Sequence, residues 1–313
     1  MKTIYNVAGA LLLCLTLTTS CYREDALTPS EGGIEPRFTL PQGNNPWDDD
    51  IMQIYEQYGV YLIYTDLEIS DFNRNWVGTI GTDYEGYSSQ NDAMTAGYVK
   101  FMKTHIFPYL TPQVYKKVLP MYWYMAYNVR ANFFGFHTPQ NNMFNGLDFW
   151  AMCMYGIPDP VTQEDFVVPV DQQTYGQRRK MVLGEIYKRA VNNGSIVIPN
   201  EFKEGFDFVT KLSSDPSSND YFLTRGFAGG IYLNKFNGTS RVPVNNDPAP
   251  TMSVTFVDYI HLMMYYTEDE LNALYGDYPF LTNKLSIVYN LMKDQYGIDL
   301  HEVCAGPADW QSF

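Results

Sequence analysis

Four histidines, His105, His137, His261 and His301, are the side chains best suited to hold a transition metal or move a proton near neutral pH. None lies within four residues of another, so the chain has no His-Glu-x-x-His and no other helix-borne ligand pair. A catalytic zinc needs about three protein ligands at one point, and two histidines one helical turn apart usually supply two of them. His261 sits in an apolar stretch and reads as a core histidine. His137, in Phe-Gly-Phe-His-Thr-Pro, is a better polar candidate but has no visible partner. There is no Cys-x-x-Cys, and Cys153 and Cys304 are far apart, which allows either a disulfide or two buried thiols. A Gly-x-Ser-x-Gly elbow and a Gly-x-x-x-x-Gly-Lys phosphate loop are missing, and Gly226 to Gly230 follows no strand that opens a helix. Asp48-Asp49-Asp50 and Asp66-x-Glu68 lack calcium-loop spacing and read as solvated faces.

The chain that must position any such groups has 313 residues, 45% apolar and 18% charged, which excludes disorder and suits one large domain or two small ones. It carries 21 basic and 35 acidic residues, net −14. That excess repels phosphate, so nucleic acid is excluded as a natural partner, as is a polybasic membrane surface. Aromatic residues make up 16%: 26 Tyr, 19 Phe and 5 Trp. Such faces can stack on sugars or peptides, although most serve the core.

Lys2 followed by the apolar run Val7 to Leu17 has the form of a signal peptide. Thr18-Thr19-Ser20-Cys21 resembles a bacterial lipobox, loosened upstream as in Bacteroidetes, which implies cleavage before Cys21 and acylation there. Tyr22-Arg23-Glu24-Asp25 is similar to the signal that sends such lipoproteins to the outer face of the outer membrane. The expected organisation is therefore a signal peptide over 1–20, a flexible tether rich in Pro and Gly over 21–45, and a single domain over 46–313.

Within that domain, Trp47 to Tyr58 has the spacing of an amphipathic helix ended by Gly59, and Val60 to Tyr64 is strand-like. A helix is expected from Asp92 to Phe107. Thr111-Pro112 should cap and open a helix running to Val118, and Met121 to Val129 reads as a buried strand. Phe133 to Pro160 reads as loops with short strands. Helices follow over Thr174 to Asn192, Ser253 to Tyr266, from the Thr267-x-x-Glu270 capping box with Leu271 and Leu274 inward, and over Thr282 to Tyr296. The fold class is α+β, with a small early sheet and a mostly helical second half.

This order of elements resembles the substrate import-associated zinc metallohydrolase lipoproteins of Bacteroidetes. The resemblance is carried by Trp47 to Asp71, Gly184-Glu185-Ile186-Tyr187-Lys188, Pro199-Asn200-Glu201-Phe202, Gly226-Phe227, the helix with Asp258, and Gly297-Ile298-Asp299-Leu300. It implies a zincin-like domain in which Gly184-Glu185-x-x-Lys188 takes the His-Glu-x-x-His place. Both histidine ligands are then gone: glycine has no donor atom, and a lysine cation repels a metal. Glu185 survives as a vestigial general base, and the helix with Asp258 and His261 takes the third-ligand place.

The resemblance thus implies a surface-exposed outer-membrane lipoprotein that no longer catalyses, beside a SusC-like TonB-dependent transporter and a SusD-like lipoprotein. It would capture peptide or glycan, contacting the membrane through its lipid anchor only. No cofactor is expected. Two alternatives remain open. One is an active zinc hydrolase with ligands recruited from His137 or His261 beside Glu185; the other is a structural partner of the transporter that binds no substrate.

Overall fold

The computed structural model describes residues 35–75, 82–157, 169–233, 239–242 and 250–308, so Cys21 and the signal stretch lie outside the described residues. The expected tether reached residue 45, but Phe38 is buried edge-on against Tyr122 and Tyr124, with ring centroids 5.5 and 5.9 Å away. Gln42 then binds the Tyr64 amide and the Thr65 carbonyl. Residues 38–45 therefore belong to the body, because an apolar ring and a polar side chain both find partners there.

Helix α1 (Asp48–Tyr58) buries Ile51 and Ile54 and ends at Gly59, whose φ of 71° suits glycine. Asp48, expected in a solvated face, is buried and accepts from the Asn45 amide and the Tyr64 hydroxyl. β1 (Tyr61–Ile63) and the short α2 (Ile69–Phe72) follow; Glu68 and Asp71 make the capping box of α2. β2 (Thr82–Ser88) leads into α3 (Asp92–Phe101), which continues as a π turn over Met102–Ile106. α4 (Pro112–Tyr115) opens on proline as expected, but it stops short of Val118 and the Thr111 hydroxyl makes no cap bond.

Then come β3 (Tyr122–Phe133), β4 (Phe136–Pro139), β5 (Asn142–Met143) and β6 (Phe149–Tyr155). β3 organises the sheet. Its first half lies parallel to both β1 and β6, while its second half runs antiparallel to β2 and forms a hairpin with β4. β5 is the antiparallel edge beside β6. The period-2 alternation of β3 divides its burden: Trp123 and Met125 face the helices, whereas Tyr122, Tyr124 and Ala126 face a smaller cluster containing Phe38, Phe72 and Phe149.

The second half holds α5 (Gln172–Asn192), opened by an Asp171–Thr174 capping box, and the short α6 (Asn200–Lys203). A two-stranded ribbon of β7 (Gly230–Leu233) and β8 (Thr239–Val242) follows. α7 (Met252–Tyr265) is capped by Thr251, and α8 (Glu268–Tyr275) has the Thr267–Glu270 box. Leu271 is buried, but Leu274 is 44% exposed; the inward face of α8 is Leu271 and Tyr275, four residues apart. α9 (Pro279–Asn290), a π turn over Leu291–Gln295 and α10 (Leu300–Ala305) complete the chain. The architecture is α+β, an early sheet with a helical second half. No helix among the described residues is long and apolar enough to cross a membrane.

Candidate functional site

The helices α5 and α7 cross where α5 carries Gly184. His261 on α7 is buried and donates from Nε2 to the Gly184 carbonyl at 3.2 Å. Burial holds the imidazole below the usual histidine range, the nearby Lys188 charge adds to this, and the ring is neutral. Gly184 therefore contributes a carbonyl to the helix contact and nothing to a metal.

One turn out from this contact a cleft of about 680 Å³ opens. α5 lines it with Met181, Glu185, Lys188 and Asn192; α7 lines it with Ser253, Val254, Val257, Asp258 and His261; the segment around β5 closes it with Gln140, Asn141, Asn142 and Phe144. The volume suits a small organic ligand or a few residues of a polymer. The structure thus brings together Glu185, Lys188, Asp258 and His261. It does not bring His137, which lies on β4 and faces Glu85 at 3.3 Å, away from the cleft lining.

Glu185 is not an idle base. Its Oε2 meets the Lys188 ammonium at 2.6 Å and its Oε1 meets Arg189 Nε at 2.7 Å. Arg189 also donates from Nη2 to the Phe144 carbonyl at 2.5 Å and lies over the Trp150 ring. The carboxylate orients Arg189, and Arg189 ties α5 to the strand edge. Both carboxylate oxygens of Glu185 are thus engaged by cations of its own helix.

The residues present do not fit zinc. Gly184 has no donor, Lys188 puts a cation beside the only carboxylate of the motif, and His261 spends a ring nitrogen on a carbonyl. Among the described residues no group of three His, Cys, Asp or Glu side chains converges. Of the two histidines expected as recruited ligands beside Glu185, His261 shares the cleft with it and His137 does not.

One lining feature escaped sequence reasoning. Asn142 pairs across the sheet with Met152, whose side chain belongs to the helix-facing core, so Asn142 points toward α5. Both its amide atoms are buried without a hydrogen-bond partner, and the same holds for the neighbouring Asn141, which is 2% exposed. A buried unpaired amide costs about 1–3 kcal/mol, and here the open donor and acceptor of Asn142 stand at the wall of the cleft. Only the adjacent Asn-Asn pair hinted at this, and a two-residue strand shows no periodicity to orient it.

No protein-family profile and no curated protein sequence matches the chain. Among solved structures, it is similar to a "putative zinc-binding metallo-peptidase from Bacteroides caccae", with a TM-score of 0.46 and 13% identity over 82% of this chain and 88% of that one.

Proposed function

We propose that this chain is a non-catalytic binding protein whose ligand enters the cleft between α5, α7 and the β5 edge. The observation that carries the reading is Asn142: a donor and an acceptor are buried without partners at the wall of a cleft. Beside it, Glu185, the carboxylate in the general-base place of the resemblance, is held in two ion pairs. Convergent amides, Asp258, Lys188 and Ser253 on an apolar floor suit a ligand rich in hydroxyl or amide groups, a peptide or a glycan. The N-terminal Cys21 motif supports a lipid anchor at the outer membrane, facing outward. The family resemblance supports a place beside a SusC-like transporter and its SusD-like lipoprotein.

The test is calorimetric titration of the purified chain with soluble peptides and oligosaccharides, beside Asn142→Leu and Asp258→Asn. Binding that both substitutions weaken at least roughly tenfold, about 1.4 kcal/mol, supports the reading. One zinc per chain with chelator-sensitive hydrolysis would instead select the enzyme. Recovery of a transporter with no titratable ligand would select the purely structural partner.

A further inference from the structure

The outer half of β3, with β2 and β4, forms a ribbon that ends in Phe133-Phe134-Gly135-Phe136. The three phenylalanines are 49%, 74% and 68% exposed, and the rings of Phe133 and Phe134 meet edge to face at 4.6 Å. Phe133 pairs with Phe136, and the two residues between them have φ of 48° and 85°. A two-residue turn with positive φ at both positions favours Asn-Gly or Asp-Gly. Phenylalanine at Phe134 is sterically poor for the backbone and poor for solubility, so a turn's local needs do not account for it.

Residues 133–136 carry no charge themselves. Among the described residues Asp83 and His137 lie opposite Asn132, one position behind the tip, and His137 faces Glu85 at 3.3 Å. Its backbone is tied internally by the Phe133–Phe136 ladder and by the Gly135 amide, which donates to Asn132 Oδ1 at 3.0 Å.

We infer that this aromatic tip inserts among the acyl chains of a lipid bilayer with an uncharged or zwitterionic surface. Three rings exposed to this extent offer apolar area on the order of 400 Å². A stable protein interface needs about 800 Å² on each partner, so the tip is too small to hold a protein by itself. A bilayer asks for apolar side chains on a backbone with few open hydrogen bonds, and the hairpin meets this in part through the Phe133–Phe136 pairing and the Gly135 amide bond to Asn132. The net charge of −14 disfavours anionic headgroups. The tip is a second membrane contact beside any acyl chains on Cys21, in place of the expected contact through the lipid anchor only. Two weak attachments hold a protein where one binds only reversibly, and together they set its orientation.

The experiment uses the unacylated chain from Tyr22 onward. Both hydrophobic clusters lie wholly within Phe38–Phe313, so nothing the fold relies on is removed. Sedimentation with phosphatidylcholine vesicles is expected to give a partition coefficient that F134N/F136S lowers roughly tenfold. The melting temperature should be unchanged or higher, because asparagine suits the turn. In vesicles with brominated acyl chains, the tryptophan emission added by F134W should be quenched. That added by V209W, at a site 96% exposed in another loop, should not. Equal partitioning of the two proteins, or an unquenched F134W, overturns the inference; a purified protein that then binds in a Phe134-dependent way would make the tip a protein contact instead.

Discussion

At the scale of single residues, two buried polar groups carry opposite lessons. Asn142 keeps an amide without a partner, so Asn142→Leu should raise stability by about 1 kcal/mol in chemical denaturation while it removes cleft binding. His105 has partners on its faces and at Nδ1. Its ring stacks on Phe101 at 5.0 Å and near Tyr175 at 5.9 Å, and its Nδ1 accepts from Arg179 Nη1 at 2.9 Å. Burial first, then the Arg179 and Lys100 charges, push its pKa down to about 3. The unfolded chain protonates this residue near pH 6.5 and the folded one only near 3. Stability should therefore be complete above about 6.5 and fall as the pH drops toward 3, by up to about 1.4 kcal/mol per unit. His105→Asn keeps an acceptor for Arg179 without the titration. Denaturant curves between pH 7 and 4.5 should show a shallower acid limb for this variant, and an unchanged slope would contradict the assignment. Glu185, Lys188, Asp258 and His261 were legible as a set only through the family resemblance, because helix spacing relates residues within one helix and not across two. The pairing of Glu185 with Lys188 at i, i+3 was also legible from helix spacing, whereas the reach of Arg189 to the Phe144 carbonyl, a tertiary contact, was not.

At the scale of elements, helices were readable where capping chemistry is local. Thr267–Glu270 and the terminal Gly59 and Gly297 stand where the sequence places them. β2 and β6 were not readable, for opposite reasons. β2 is polar and held by its pairing to β3, whereas β6 is apolar on both faces and has no alternation to reveal it. Between β3 and β6 the register shifts at Ala126–Tyr127, and the ladder there is completed from outside the sheet. The Tyr98 hydroxyl on α3 donates to the Ala126 carbonyl at 2.5 Å and accepts from the Met154 amide at 2.6 Å. Tyr98→Phe removes both bonds and leaves two buried backbone groups unpaired, which should cost about 2–4 kcal/mol in denaturant unfolding. A loss under 1 kcal/mol would mean that the strands close the bulge without it.

At the scale of the whole molecule, the fold relies on burial and not on covalent links among the described residues. Cys153 and Cys304 are both free, which settles the disulfide left open by their spacing. The Cys153 thiol donates to the Tyr155 carbonyl and is pushed up to about 11 by burial, and burial raises Cys304 as well. A thiol reagent at pH 8 should therefore modify Cys153 only after denaturation, and reductant should leave the melting temperature unchanged. Labelling of Cys153 in the native protein would show that the sheet opens locally. The central position of β3 has a further consequence, in time. Its partners reach it from far along the chain: Tyr61 pairs with Tyr122, and Phe149 arrives on the other side only later in the sequence. Parallel pairings that close such long loops are slow, so refolding should take milliseconds to seconds, not microseconds. Throughout that interval the run Tyr122-Trp-Tyr-Met-Ala-Tyr127 is an apolar strand with bare edges, as it also is during synthesis before β6 has been made. Refolding yield should fall as protein concentration rises, because in that window another copy of the same strand competes for the edge that β6 will eventually cover.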